Sequence, residues 1–435
     1  MKHIFIKIFF LLNISLISVY ANVQLIKKEN NDSNTTLLVI GGIHGDEPGG
    51  YFSASILASN YKINSKNIWI VPNLNQSSIQ KNNRGIYGDM NRKFSKIKDE
   101  DGDKSIVDEI KKIILQPNIS LVLNLHDGNG FYRKTDKGSI FNPNAWGQTC
   151  VIDQCILSKD QPFGDLNNIA INIKNRINKT LIKEHHTFDV KNTNTKFDDE
   201  AMQLSLTYFA VTNNKPAFAI ESSKNLPTLS QKVFYHLLAI EEFMNLMEIS
   251  FSRNFELNEQ NIDNLLKDYG NLNINNNISL NLTNIKNFLS FIPIKSSNNT
   301  FKFSSPLGSV IQESGIFNIY IGNEKVTSLK PQYFKIEESC EDKFDVVVDG
   351  KKISMNKSSD IIVNNSFNII KKDNYRVNII GFKSKDLVDE SGIDIELKDF
   401  DERFSIDANN SEYRVEFYKN DNFCSMSKVQ FKYGK

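Results

Sequence analysis

Three short apolar runs constrain this chain most, because each stops on a residue able to bind a metal or move a proton. Leu37-Leu38-Val39-Ile40 passes through Gly41-Gly42 to His44 and Glu47, the run 121–125 stops at His126, and 217–220 stops at Glu221 and Ser222-Ser223. Apolar runs this short, bounded by turn signals, read as buried strands. Open α/β sheets gather their chemistry at strand ends. His44 and Glu47 cannot be a helical pair, because the glycines around them and Pro48 break any helix. Both side chains must project from a loop at the end of a strand.

Single acids and histidines are normally surface residues. Jointly these residues supply two imidazoles and a carboxylate, a standard protein set for Zn²⁺, with the fourth position left to water. Glu221 is then a spare carboxylate, able to act as general base on the metal-bound water. Between the first two runs lies a glycine-punctuated loop that carries Arg84, Asn91 and Arg92, after a strand-like stretch at 68–71. Guanidinium groups bind carboxylates in bidentate fashion, so this loop suits an anionic ligand.

On these residues the chain resembles the M14 zinc carboxypeptidase superfamily, which includes an aspartoacylase-like branch. Within it, the resemblance is to the periplasmic peptidoglycan carboxypeptidases that set helical cell shape, and it extends over length, export signal and C-terminal extension. It implies one zinc ion held by His44, Glu47 and His126, and a substrate carboxylate held by Asn91 and Arg92. It further implies Arg84 as oxyanion partner and Glu221 as base, with muramyl tripeptide trimmed to dipeptide and meso-diaminopimelate released. Some members carry Gln at the first ligand position, where this chain has His44. Trp146 and Tyr208, close to motif strands, are candidates for the pocket wall, and the resemblance adds 202–207, Thr207 included. Two other readings remain: an aspartoacylase-like amidohydrolase, disfavoured by export and the long extension, and a non-catalytic exported muropeptide-binding protein, disfavoured by the complete metal set.

The start of the chain, basic at Lys2 and Lys7 and then apolar to Ala21, reads as a signal peptide over 1–21, too short and broken to span a bilayer. A periplasmic location follows as the expectation. The formal net charge is +1, or −1 without Lys2 and Lys7, and no phosphate-binding glycine loop occurs, which argues against nucleic-acid partners. Four cysteines in an exported chain suggest two disulfides, Cys150–Cys155 and Cys340–Cys424. Helical stripes at 103–115, 166–182 and 229–249 separate the short runs. The expected architecture is α/β: a carboxypeptidase-like mixed sheet flanked by helices over 22–250, then a β-rich module at 251–342 and another at 343–435, for which an immunoglobulin-like sandwich is the candidate. The β-rich half has no catalytic spacing and is a candidate surface for cell-shape partners. His185-His186 reads as a solvated or rim pair, and His236 as a core histidine on a helix stripe.

Overall fold

The computed structural model describes residues 23–30, 33–157, 161–383 and 387–432. The expected signal peptide lies outside these residues. Among the described residues, no helix is long and apolar enough to cross a membrane.

The first half is built on a seven-stranded mixed sheet. Its strands are β1 (Ile26–Lys28), β2 (Thr36–Ile40), β3 (Asn67–Val71), β4 (Ile119–Gly128), β5 (Thr149–Ile152), β6 (Asp189–Asn192) and β7 (Ala217–Ser223), in the spatial order β1-β3-β2-β4-β7-β5-β6. The four central strands β3, β2, β4 and β7 run parallel. Every residue of β2, β3 and β7 is buried, the mark of a sheet covered on both faces and the reason these strands read as unbroken apolar runs. The flanking helices are α1 (Pro48–Asn60), α2 (Lys104–Ile114), α3 (Leu166–Ile177), α4 (Leu206–Thr212) and α5 (Leu229–Leu246).

Two helices stop earlier than their apolar stripes suggest. After α3, the Asn178 side chain accepts from Phe188 N–H at 2.8 Å and donates to Phe188 C=O at 3.0 Å, which turns the chain away. After α5, Glu248 adopts φ +56°, a left-handed conformation that no helix continues. Thr228 caps α5, its hydroxyl accepting from Gln231 N–H at 3.2 Å.

In the second half, strands Asn271–Ile274, Ile278–Asn281 and Phe301–Phe303 share one sheet with Tyr375–Ile379, Glu412–Lys419 and Asn422–Phe431. The join is the parallel pairing of Ile278 with Met426. The chain on either side of residue 342 is thus hydrogen-bonded into a single sheet. A second sheet, with strands Lys343–Val348, Lys351–Asn356, Ser366–Ile369 and Ile395–Glu396, faces it across a separate core that includes Phe344, Val346, Val415 and Phe417. The larger core runs without a break from the seven-stranded sheet to Leu272, Ile278 and Ile319, so the first half and the strands after it pack as one body.

Cys340 and Cys424 form a disulfide, with Cα atoms 5.8 Å apart. The other expected bridge does not form. Cys150 is buried within β5 opposite Ile220, and Cys155 is exposed beyond the strand end. Because the Cys340–Cys424 bridge spans 84 residues, Cys340→Ser is expected to cost about 2–4 kcal/mol in denaturant unfolding. An unchanged midpoint would assign that stability to the core alone.

Candidate metal centre

The carboxyl ends of β2, β4 and β7 bring the three sequence signals into one cavity of about 320 Å³, whose lining includes His44, Glu47, Arg84, Asn91, Arg92, His126, Trp146, Thr207 and Glu221. In register, Glu221 on β7 stands beside His126 on β4. His44 lies in the turn after β2, and Glu47 is the N-cap of α1, with Pro48 following it as first helical residue. Glu47 makes no side-chain capping bond, because its carboxylate is occupied elsewhere. Gly45 lets the turn seat: a Cβ there would lie 2.1 Å from the Ser78 backbone, and its N–H donates to Asn83 C=O at 3.0 Å. That bond ties the His44 turn to the loop bearing Arg84.

Glu47 is the hub. Its Oε1 lies 3.0 Å from His44 Nδ1 and its Oε2 lies 2.8 Å from His126 Nδ1. Arg84 Nη1 donates to Oε1 at 3.1 Å, and Asp127 N–H donates to Oε2 at 3.2 Å. Burial opposes the charge on Glu47, but His44 and His126 outweigh it and hold the carboxyl well below the usual range. The two imidazoles part company. Burial would lower His44, yet Glu47 and Asp89 raise it to about 9, with Asp89 Oδ1 2.8 Å from Nε2. At His126 burial prevails and the shift is downward, since its second nitrogen meets the neutral amide of Asn124 rather than another carboxylate. Glu221 moves the opposite way from Glu47: burial, then the nearby Glu47 charge, raises its carboxyl well above the usual value.

His44, Glu47 and His126 offer ligand atoms that all lie within 4.8 Å of one another. Two imidazoles and a carboxylate are the donor chemistry of a divalent transition ion. Both Nδ1 atoms face the same carboxylate, while both Nε2 atoms meet an outer partner, Asp89 or Asn124. A metal-binding histidine commonly donates its second ring N–H to an acceptor, the part that the Asp89 carboxylate can play for His44. The residues fit a metal.

The candidate anion-binding residues Arg84, Asn91 and Arg92 line the same cavity. Met90–Arg92 forms a single 3₁₀ turn, capped by Asp89, whose side chain accepts from Asn91 N–H at 2.9 Å. The Asn91 Oδ1 accepts from Leu206 N–H at 2.9 Å, which fixes the amide. Arg84 spans Glu47 and Asp89, its Nε 3.0 Å from Asp89 Oδ2. Lys93 anchors the loop, its ammonium reaching Asp101 and Asp103 at 2.8 Å and Tyr87 C=O at 2.7 Å.

Trp146, also in the lining, carries the Lys191 ammonium 4.2 Å from its ring centroid. Thr207 lines the cavity, but Tyr208 does not. The two are neighbours on α4, where successive side chains point roughly 100° apart, so only one can face inward. His186 also departs from the sequence reading: it is buried, its Nδ1 lies 2.9 Å from Tyr235 Oη, and its ring stacks on Phe131. His236 is buried as expected, with Nε2 3.1 Å from Asp127 Oδ1.

Sequence reasoning missed Asp89, Asn124, Asp127 and Lys224. Asp89 had a signal, since an aspartate two residues before Asn91 can cap a short turn. Asp127 follows His126 directly and accepts from Gly49 N–H at 2.8 Å and Ser222 Oγ at 2.6 Å, which joins α1 to β7. Lys224 lines the cavity and pairs with Asp46 at 2.9 Å. Nothing in its local sequence marks it.

The family model described as "Carboxypeptidase controlling helical cell shape catalytic" matches residues 1–267, and the one described as "C-terminal domain of metallo-carboxypeptidase" matches 337–432. Among solved structures, the apo cell shape determinant protein Csd4 from Helicobacter pylori is 35% identical, covers 94% of this chain and all of its own, and superposes with a TM-score of 0.88. Its tripeptide-bound form is 35% identical at the same coverage, with a TM-score of 0.87. The form bound to mDAP, described as a D,L-carboxypeptidase, is 35% identical, covers 93% of this chain and all of its own, and has a TM-score of 0.88. No curated protein matches the chain.

Proposed function

The chain belongs to the family of carboxypeptidases controlling helical cell shape, and on that premise we propose that it is a zinc-dependent peptidoglycan D,L-carboxypeptidase of the periplasm. Its reaction removes terminal meso-diaminopimelate from muramyl tripeptide and leaves the dipeptide. The observation that carries this reading is that a His-Glu-His donor set, a separate buried carboxylate and two arginines share one cavity. The tripeptide-bound and mDAP-bound forms of the similar H. pylori protein support the substrate class.

His44, Glu47 and His126 would hold one zinc ion, which when bound supplies Lewis-acid activation of water and of the scissile carbonyl. Arg92 and the Asn91 amide receive the terminal carboxylate and so set which peptide bond lies over Glu221. Arg84, half-exposed on the rim, can swing from Glu47 and Asp89 to the carbonyl oxygen as charge develops there. Glu221 takes a proton from the attacking water and passes it to the leaving amine. All lining residues fall between 44 and 224, so the β-rich half adds nothing to the cavity and is free to contact peptidoglycan or other cell-shape proteins.

Incubation of purified protein with muramyl tripeptide, with and without a chelator, tests the reading. Chelator-sensitive release of diaminopimelate is expected. Intact tripeptide in the metal-loaded reaction would overturn it. Arg92→Ala is expected to lower kcat/KM on tripeptide by about 10–150-fold, the 1.5–3 kcal/mol of a charged hydrogen bond, and hardly to affect a C-terminally amidated substrate. Equal losses on both substrates would make Arg92 structural.

A further inference from the structure

The far side of His126 has a buried partner. Asn124 lies two residues earlier on β4, so its side chain leaves the same face of the strand, and it is fully buried. Its Nδ2 stands 2.8 Å from His126 Nε2, while its Oδ1 is buried with no hydrogen-bond partner among the described residues. Its register neighbours, Ile40 on β2 and Ala219 on β7, have only hydrocarbon side chains. A half-turn of the amide exchanges its oxygen and nitrogen, and the hydrogen-bond network decides which orientation holds.

The two tautomers of His126 require opposite orientations. With its proton on Nδ1, donated to Glu47 Oε2 at 2.8 Å, Nε2 is an acceptor and the Asn124 Nδ2 serves it. When Nδ1 gives its lone pair to a metal, the proton must sit on Nε2, and the amide nitrogen would then oppose another donor. We infer that Asn124 is a positioning residue for His126, whose amide turns Oδ1 onto Nε2–H and holds the imidazole in the tautomer that ligates through Nδ1. The turn pairs Oδ1 with Nε2–H and moves Nδ2 to the place between Ile40 and Ala219, so what it gains is the matched contact with His126 and not an extra satisfied group. The inference rests on the metal reading of the site.

Zinc affinity, measured by competition with a chromogenic chelator, separates this role from packing, with thermal unfolding of the metal-free proteins as a control for folding. Asn124→Leu keeps the volume and removes the acceptor, and is expected to weaken zinc binding about 10–100-fold, the usual loss for an outer partner of a ligand. Asn124→Asp keeps an acceptor and is expected to match or exceed the native affinity. The reverse order, with Asn124→Leu native-like and Asn124→Asp weaker, is what a space-filling residue would give, because aspartate adds a buried charge, and it overturns the inference. If Asn124→Leu does not fold, Asn124→Asp decides alone: native or tighter affinity upholds the role, and a tenfold loss refutes it. A native protein that takes up no zinc refutes the metal reading itself, a result distinguishable from a flat mutant series on a zinc-binding protein.

Discussion

Glu221→Ala protein is expected to keep its zinc and still bind muramyl tripeptide, yet to turn it over about 10²–10⁴-fold more slowly, the usual worth of a positioned acid or base. The expectation begins in the sheet. Glu221 is itself a buried residue of β7 and lies in register with His126, so the backbone delivers its carboxylate to the candidate metal ligands without making it one of them. Gly128 keeps room for it, since a Cβ there would lie 2.8 Å from Glu221 Oε2. Burial and the Glu47 charge make the carboxyl hold protons more tightly than a free one, as a group must that accepts a proton from water and later delivers it to an amine. Glu221→Gln keeps the shape and removes the basic oxygen, so its loss should equal that of the alanine variant. Loss of zinc in either protein would make Glu221 a ligand, and near-normal turnover would make it a bystander. Cells with only Glu221→Ala enzyme should accumulate tripeptide muropeptides at the expense of dipeptides.

The parts legible in the sequence were those set by short stretches of chain. Apolar runs long enough to cross a sheet, each stopped by a turn, mark strand ends, and the glycines beside His44 with Pro48 after Glu47 exclude a helix there. Contacts made over long separations were less visible. That Arg84 rests on Glu47 depends on the 82–89 loop folding back, which Lys93 enforces through Asp101 and Asp103 and which Gly45 permits by close approach to Ser78. His186 looked solvated because its flanking residues are polar, but Tyr235 on α5 and Phe131 cover it from elements far along the chain. Tyr208 and Thr207 differ only in helical phase, and the phase of a seven-residue helix is set by what it packs on. Cysteine parity could not reveal that Cys150 would be buried between two neighbouring strands, nor could strand alternation reveal that segments near 278 and 426 would pair.

His126→Ala protein should be isolated without stoichiometric metal, and its zinc affinity should fall by more than the 10–100-fold that an outer partner is worth, with turnover falling alongside. His44→Ala is expected to behave in the same way. Both proteins should fold, because the large core to which the surrounding strands belong is built from apolar residues of β2, β3, β4 and β7 and does not include either ring. Glu47 needs a different substitution. Its carboxylate meets two imidazoles, the Arg84 guanidinium and the Asp127 N–H, so Glu47→Ala would leave several buried donors unpaired and confuse metal loss with unfolding. Glu47→Gln keeps an oxygen and the helix entry while removing the charge, so loss of metal in that variant at a near-native unfolding temperature isolates the ligand role. Zinc added back should restore chelator-treated native protein and leave all three variants inactive. Stoichiometric, tightly held metal in the three variants would show that the ion binds elsewhere, and the cavity would then have to work through Glu221 and the arginines alone.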